Sequence, residues 1–384
     1  MDTVSAVPLI AAILVFLASI ISLRLGISVA IVELLLGVIA GNYFGLQPEP
    51  WMAYLAGFGG IVLTFLAGAE VDLPLLRSKF KESMLIGGAS FLVPFVCAFG
   101  YTYVISGWSL DASLIAGAAL STTSLAVVYS VLVETGLSRT GLGKLLMSAT
   151  FVTDIGTALA LSILFIKPNL GTLEFVIISG VIIYFAVKHS RLLFSSNAYK
   201  NKVIEPEIKY IFLLLIIFMY FAAAGASHAV LPAFFLGLFM SPYFTELSDT
   251  KEVRNRLRTV AYALITPFFF IVGGMNVSLP LVLGAFGLFV ALFALKQAAK
   301  FIGVYFLARR YLPKNEMYST LLMSTGLTFG TISSVFGYQA GYIDKTQFSV
   351  LVAVVVASAV IPTIIAQKWF KPVHTEDILN GNGK

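Results

Sequence analysis

The chain has 384 residues, of which 59% are hydrophobic and only 11% charged, with a net charge of +6. Soluble proteins carry about 45–50% apolar and about 25% charged residues. The balance found here excludes an ordinary soluble enzyme, a disordered chain and a nucleic-acid binder working through a basic patch, and leaves an integral membrane protein built of apolar helices. The lone cysteine, Cys97, cannot close an intrachain disulfide.

Apolar runs of about 17–25 residues read as membrane-spanning helices. Thirteen spans are expected, at roughly 4–23, 28–46, 51–69, 83–106, 110–134, 143–166, 172–188, 208–226, 229–243, 259–273, 280–308, 316–338 and 346–369. None alternates apolar and polar residues as a barrel strand would. The first is not a cleaved leader, because Met1-Asp2-Thr3 brings no positive charge. Nearly all lysines and arginines fall in one set of loops: Arg77, Lys79 and Lys81; the run from Lys188 to Lys209; Lys251 to Arg258; Arg309, Arg310 and Lys314. The opposite loops hold only Lys167 and Lys345. Basic loops stay in the cytoplasm, which puts the amino terminus outside, the carboxyl terminus inside, and requires an odd number of spans.

Span 3 closes on Gly68-Ala69-Glu70-Val71-Asp72-Leu73-Pro74, and span 10 closes on Gly274-Met275-Asn276-Val277-Ser278-Leu279-Pro280. Gly, Val, Leu and Pro match at a constant offset of 206 residues. If spans 1–6 and 8–13 are two repeats, both segments end the third helix of their repeat, and span 7 makes the repeats face opposite ways. Inverted repeats of this kind are a common build for secondary transporters.

In span 6, Asp154 is the only ionisable residue between Lys144 and Lys167. At about 1.5 Å per residue it lies some 15 Å beyond Lys144, near the bilayer midplane. A carboxylate at that depth is costly and marks a functional site by default. Thr150, Thr153 and Thr157 share its side of the helix, and an oxygen set with one anionic member suits a small hard cation. A carboxylate locked in a structural ion pair is the competing reading. Polar, helix-breaking sequence falls midway through spans 5 and 12, as Ser121-Thr122-Thr123-Ser124 and as Ser324-Thr325-Gly326-Leu327-Thr328-Phe329-Gly330-Thr331. Helices interrupted at midplane offer free backbone N–H and C=O groups to ions. In span 11, Lys300 sits deep in the helix with Lys296 one turn earlier; an ion pair is expected for Lys300, and Lys296 has no assigned role. Glu33 and Glu70 lie nearer the cytoplasmic ends of spans 2 and 3, where either can acidify a funnel or touch the ion. His189, His228 and His374 fall in or near loops and receive no catalytic role. There is no P-loop, no metal-binding Cys/His cluster and no nucleophile–base motif, so a transporter is expected rather than an enzyme.

These residues together resemble the cation:proton antiporter family 2, the group of NapA-type sodium/proton and Kef-type potassium/proton antiporters. The resemblance covers nearly the whole chain. It rests on Gly68-Ala69-Glu70-Val71-Asp72-Leu73, Ser121-Thr122-Thr123-Ser124, Thr153-Asp154, Pro267-Phe268-Phe269-Phe270 running into Gly274, Lys300-Phe301-Ile302-Gly303, and the Gly-Leu-Thr-Phe-Gly segment at 326–330. It implies an all-α polytopic fold of the NapA/NhaA type, with spans 5 and 12 crossing as broken helices. It also implies a homodimer working as an elevator. The dimerisation domain would comprise 1–82 (spans 1–3) and 208–279 (spans 8–10). A moving core would comprise 83–166 (spans 4–6) and 280–372 (spans 11–13). Span 7 and a cytoplasmic loop would form the linker at 167–207, and 373–384 a cytoplasmic tail.

By the same resemblance Asp154 binds the cation or the proton, with Thr153, Thr123, Thr122, Ser121, Thr150 and Glu70 as further ion- or proton-binding candidates. Ser124, Thr325, Gly326 and Thr328 would supply the crossing backbone, and Lys300 the compensating charge. The position of Thr153 is Asp in electrogenic members of the family; threonine departs from that pattern and leaves Lys300 without its usual partner.

The expected activity is therefore exchange of Na⁺ (or Li⁺, or K⁺) for H⁺ in the cell (inner) membrane, one proton per cation and electroneutral, with no cofactor and no nucleic acid. Proton and cation compete for Asp154, because a dehydrated carboxylate needs one of them to neutralise it. The sequence stops soon after span 13, so the nucleotide-sensing domain of Kef-type proteins is not expected, while a separate regulatory subunit stays open. A K⁺/H⁺ antiporter of Kef type and a sodium-coupled organic anion symporter are the alternatives; a channel would need a selectivity filter or charged ring that is not visible.

Overall fold

A computed structural model describes residues 6–25, 28–71, 73–138, 140–164, 170–195, 204–224, 229–245 and 250–372. Asp72, Arg139, Lys167, His228, His374, the 196–203 part of the predicted loop and the 373–384 tail lie outside the described residues.

In a bilayer every backbone polar group must be satisfied inside the protein, and helices do this segment by segment. The described chain is accordingly helical. The helices are α1 (Val7–Leu25), α2 (Val29–Tyr43), α3 (Pro50–Ala69), α4 (Leu73–Ser78), α5 (Phe80–Gly100), α6 (Leu110–Ser121), α7 (Leu125–Glu134), α8 (Gly141–Leu164), α9 (Leu170–Ser195) and α10 (Pro206–Ala224). They continue as α11 (Val230–Thr245), α12 (Thr250–Val260), α13 (Thr266–Asn276), α14 (Leu279–Gly284), α15 (Phe286–Lys300), α16 (Phe306–Tyr311), α17 (Glu316–Met323), α18 (Thr328–Gln339) and α19 (Lys345–Trp369). Wider π turns at Tyr101–Ile105, Ala261–Ile265 and Phe301–Tyr305 carry α5, α12 and α15 onward; the last begins directly after Lys300.

Ten described segments are long and apolar enough to cross a membrane, and two shorter apolar helices, Val29–Tyr43 and Val230–Pro242, accompany them. The protein is thus an all-helical polytopic membrane protein. The thirteen predicted spans exceed this count by one because span 12 is split: α17 has 8 residues and α18 has 12, and neither half reaches across alone.

Two packed bodies make up the fold. In one, α2 packs along α13 and α3 along α11. Both contacts are closed by glycine. A Cβ on Gly37 would collide with the carbonyl oxygen of Ile271, and one on Gly274 with that of Leu34. Likewise a Cβ on Gly237 would meet the Phe65 carbonyl, and one on Gly68 the Phe234 carbonyl. Without a hydrophobic drive between helices in lipid, such close backbone approach supplies the packing energy. In the second body, α5 packs against α6, α8 and α15, while α18 packs against α6 and α19. Phe234 of the first body meets Phe329 of the second edge-on, with ring centroids 6.2 Å apart.

Candidate functional site

The site lies where two helices of the second body stop and restart. After α6 the chain turns extended at Thr122 (φ −67°, ψ 155°), and α7 resumes at Leu125. After α17 the chain leaves helical geometry and α18 resumes at Thr328. The runs of Ser, Thr and Gly explain the breaks, since their side chains offer the backbone local hydrogen bonds in place of the ladder. Ser121 donates to the carbonyl of Ala118 at 3.0 Å, Thr122 to that of Ala119 at 3.4 Å and Thr325 to that of Leu322 at 2.7 Å. The two interruptions touch. The backbone N–H of Ser124 donates to the Thr325 carbonyl at 3.1 Å, and the Thr123 hydroxyl donates to the Met323 carbonyl at 2.9 Å. Gly326 sits at this contact, where a Cβ would meet Nζ of Lys296 and crowd the Thr122 hydroxyl and carbonyl.

Lys300 reaches this junction fully buried. Its Nζ donates to the Ser121 carbonyl at 2.7 Å, the Ser90 hydroxyl at 2.8 Å and the Thr123 hydroxyl at 3.0 Å. The ion pair expected from the sequence is not made: among the described residues no carboxylate lies within 4.0 Å of Lys300. Three neutral acceptors take its place, one of them the last carbonyl of α6, so the ammonium caps a helix end instead of pairing with an acid. Lys296, one turn earlier, is 1% exposed and its Nζ has no hydrogen-bond partner.

Asp154 is 2% exposed in the middle of α8. Among the described residues it makes no hydrogen bond and no ion pair. It lies within electrostatic reach of both Lys300 and Glu70. The neighbouring threonines do not bind it. Thr150 donates to the Leu146 carbonyl at 2.9 Å, Thr153 to the Thr150 carbonyl at 2.7 Å and Thr157 to the Thr153 carbonyl at 2.9 Å. Their protons are committed to the helix, which leaves the oxygen lone pairs to accept or to ligate.

Glu70 sits at the C-terminal cap of α3. It pairs with Arg258 at 3.5 Å, and both line a cavity of about 440 Å³ together with Tyr262, Val127, Thr363 and Gln367. Asp154 is not among the walls of this cavity. A second cavity, of about 250 Å³, lies between the bodies elsewhere and has Gly60, Ile61, Phe269, Ile332 and Phe336 among its walls. Glu33 is buried in α2, and Thr328, half-buried, opens α18. Ser90, Arg258 and Tyr262 were not singled out by the sequence reading. Ser90 carries a signal as a polar residue amid the apolar run of span 4, and Arg258 only as part of the basic run 251–258.

Residues 10–371 match the family described as sodium/hydrogen exchanger, transmembrane. Probable Na(+)/H(+) antiporter 3 of Methanocaldococcus jannaschii is 29% identical over 349 residues, covering 87% of this chain and 88% of that protein. An Na(+)/H(+) antiporter of Enterococcus hirae is 27% identical over 372 residues, covering 92% and 94%. The solved structure of the sodium proton antiporter MjNhaP1 from Methanocaldococcus jannaschii at pH 8 superposes with a TM-score of 0.69 at 14% identity, covering 93% of this chain and 94% of that one. At that identity the likeness is one of fold.

Proposed function

The chain belongs to the sodium/hydrogen exchanger family of integral membrane proteins, and from that membership we propose that it is a secondary active cation/proton antiporter exchanging Na⁺ for H⁺. The match supports the broader cation:proton antiporter membership rather than the NapA- or Kef-type branch suggested by the motifs. The observation that carries the reading is Asp154, a buried acid with no hydrogen bond and no counter-ion within ion-pair distance among the described residues. Stripped of water, its ionised form needs a positive partner, and the described residues provide none in contact. A proton or a metal cation fills that role, each excludes the other, and exclusion at one site is what couples the two fluxes. Thr150, Thr153 and Thr157 offer the neutral oxygens beside it.

Alternating access follows from the two bodies. The core (83–166 and 280–372) carries Asp154 and the crossing; the dimerisation domain (1–82 and 208–279) stays fixed, joined through 167–207. Thirteen crossings in two inverted repeats suit the glycine contacts. Gly68 and Gly274 differ by 206 residues, as do Phe65 and Ile271, while Gly37 and Gly237 differ by 200, as do Leu34 and Phe234. The two helix pairs therefore exchange under one repeat operation. The Glu70 cavity lies toward the end where Arg258 and Lys368 gather, and serves as the cytoplasmic funnel. The amino terminus is then outside, the carboxyl terminus in the cytoplasm, and the working unit a homodimer. With Thr153 offering no second carboxylate, exchange is one proton per cation and electroneutral.

Proteoliposomes holding a pH-sensitive dye test this directly. Addition of Na⁺ or Li⁺ should drive proton release from wild type, and K⁺ should do so more weakly. Asp154→Asn should abolish the signal while eluting as the same folded species. Normal cation-driven proton flux from that variant would remove the reading.

A further inference from the structure

The outer face of α9 carries a second feature that ion exchange does not use. Gly180, Ile183, Tyr184, Val187 and Lys188 recur at i, i+3, i+4, i+7 and i+8, which places them on one stripe of the helix. Opposite this stripe stand Phe235 and Phe239 of α11, their rings stacked with centroids 5.9 Å apart. Between the two lies an open-sided groove of about 750 Å³ walled by these seven residues. It is larger than the 440 Å³ cavity at Glu70. Its walls face outward into lipid: Tyr184 is 63% exposed and Phe239 50%. Gly180 deepens the groove, since a side chain there would meet no atom within 4 Å and would project into open space.

The groove ends at a charge. The Nζ of Lys188 lies 5.9 Å from the centre of the Tyr184 ring and makes no ion pair among the described residues. Lys188 falls in the last two turns of α9, where a lysine extends its ammonium to headgroup level while its stem lies along apolar surface. An acyl chain gains little from an apolar wall over bulk lipid, because lipid tails are as apolar as leucine. Shape and headgroup charge must therefore decide the occupant.

We propose that this groove binds one anionic glycerophospholipid, its acyl chain laid along Gly180, Ile183, Phe235 and Phe239 and its phosphate at Lys188. The length of the stripe fits a chain segment: eight residues at about 1.5 Å rise give roughly 12 Å. A single basic residue near an anionic headgroup sets an expected preference of about five-fold over a zwitterionic lipid.

The test uses the full-length protein purified in neutral detergent and titrated with phosphatidylglycerol or phosphatidylcholine of matched chains, with bound lipid counted by native mass spectrometry. Wild type should retain one phosphatidylglycerol about five-fold more readily than phosphatidylcholine. Lys188→Gln should bring the ratio to one, and Gly180→Trp should remove the bound lipid of either kind. Equal retention of the two lipids by wild type would overturn the proposal, as would a preference that survives Lys188→Gln. If Gly180→Trp left the lipid in place and converted dimers to monomers, the groove would be a contact between copies and the lipid assignment would fall.

Discussion

Thr123 gives the sharpest test of how the crossing is held. Its hydroxyl donates to the Met323 carbonyl at 2.9 Å and accepts from Lys300 at 3.0 Å, so one oxygen ties the break between α6 and α7 to α17 and α15. Thr123→Val keeps the shape and deletes the hydroxyl. Losing a hydrogen bond from a charged donor costs about 1.5–3 kcal/mol. Lys300 keeps Ser90 and the Ser121 carbonyl, which argues for the lower end of that range. The Met323 carbonyl is left bare in a buried site, at a further cost of about 1–3 kcal/mol. Together these predict a loss of about 3 kcal/mol, visible as a clear drop in the thermal unfolding midpoint of the purified protein. Thr123→Ser should recover most of it, since the bonds and not the methyl group matter. Combined with Lys300→Met, the two losses should fall short of additivity by about 1–2 kcal/mol, as expected for groups in direct contact. Additive losses, or a serine variant as unstable as the valine one, would show that the hydroxyl does not bridge.

Three further outcomes can be checked. Gly68→Ala and Gly274→Ala should each destabilise the protein by about 1–3 kcal/mol, because each new methyl meets a backbone carbonyl of the facing helix. Gly57→Ala, with no atom within 4 Å, should be neutral or stabilise its helix by about 0.5–1 kcal/mol; unfolding curves of the three variants decide. Lys296→Met should preserve or raise thermal stability, since a buried amine without acceptors is replaced by a side chain that needs none; a loss as large as that of Lys300→Met would contradict this. Thr153→Asp should make exchange respond to an imposed membrane potential where wild type does not, measured as dye response in proteoliposomes with and without a potassium diffusion potential.

The sequence disclosed the scaffold because the bilayer imposes it. Long apolar runs have no other stable form in lipid, and the breaks in spans 5 and 12 were visible as Ser, Thr and Gly where hydrophobic residues should be. Asp154 was equally plain as the lone charge in its run, as was Lys300 with Lys296 deep in another. What local sequence does not encode is partnership across distance. Lys300 finds its acceptors in Ser90, 210 residues away, and in Ser121 and Thr123, 179 and 177 away. A search for an acid therefore expected an ion pair that the fold replaces with neutral oxygens. Helical spacing put Thr150 and Thr157 on the side of Asp154, but spacing is silent on where a hydroxyl proton points, and both point back along α8. The pairing of Glu70 with Arg258 joins the end of α3 to the basic α12, a meeting set only by tertiary packing.

The setting of Lys300 also explains why one carboxylate suffices in the proposed cycle. A helix C-terminus carries roughly half a negative charge, and two such ends meet at this junction. Lys300 bonds the last carbonyl of α6 directly and reaches the last residue of α17 through Thr123. The N-termini of α7 and α18 meet at the same junction and oppose these half-charges, so Lys300 is held by its direct bonds to Ser121, Ser90 and Thr123, none of which depends on what Asp154 holds. The proposed electroneutral cycle requires that Lys300 keep its proton on these acceptors, so that only the charge at Asp154 changes hands. A carboxylate at position 153 would break this independence: it would compete with the three acceptors for Lys300, and the cation would then displace an ammonium as well as a proton. Wild-type exchange accelerated by membrane potential would mean that these acceptors do not hold the Lys300 proton, and Ser90→Ala, which removes one of them, should then enlarge the effect.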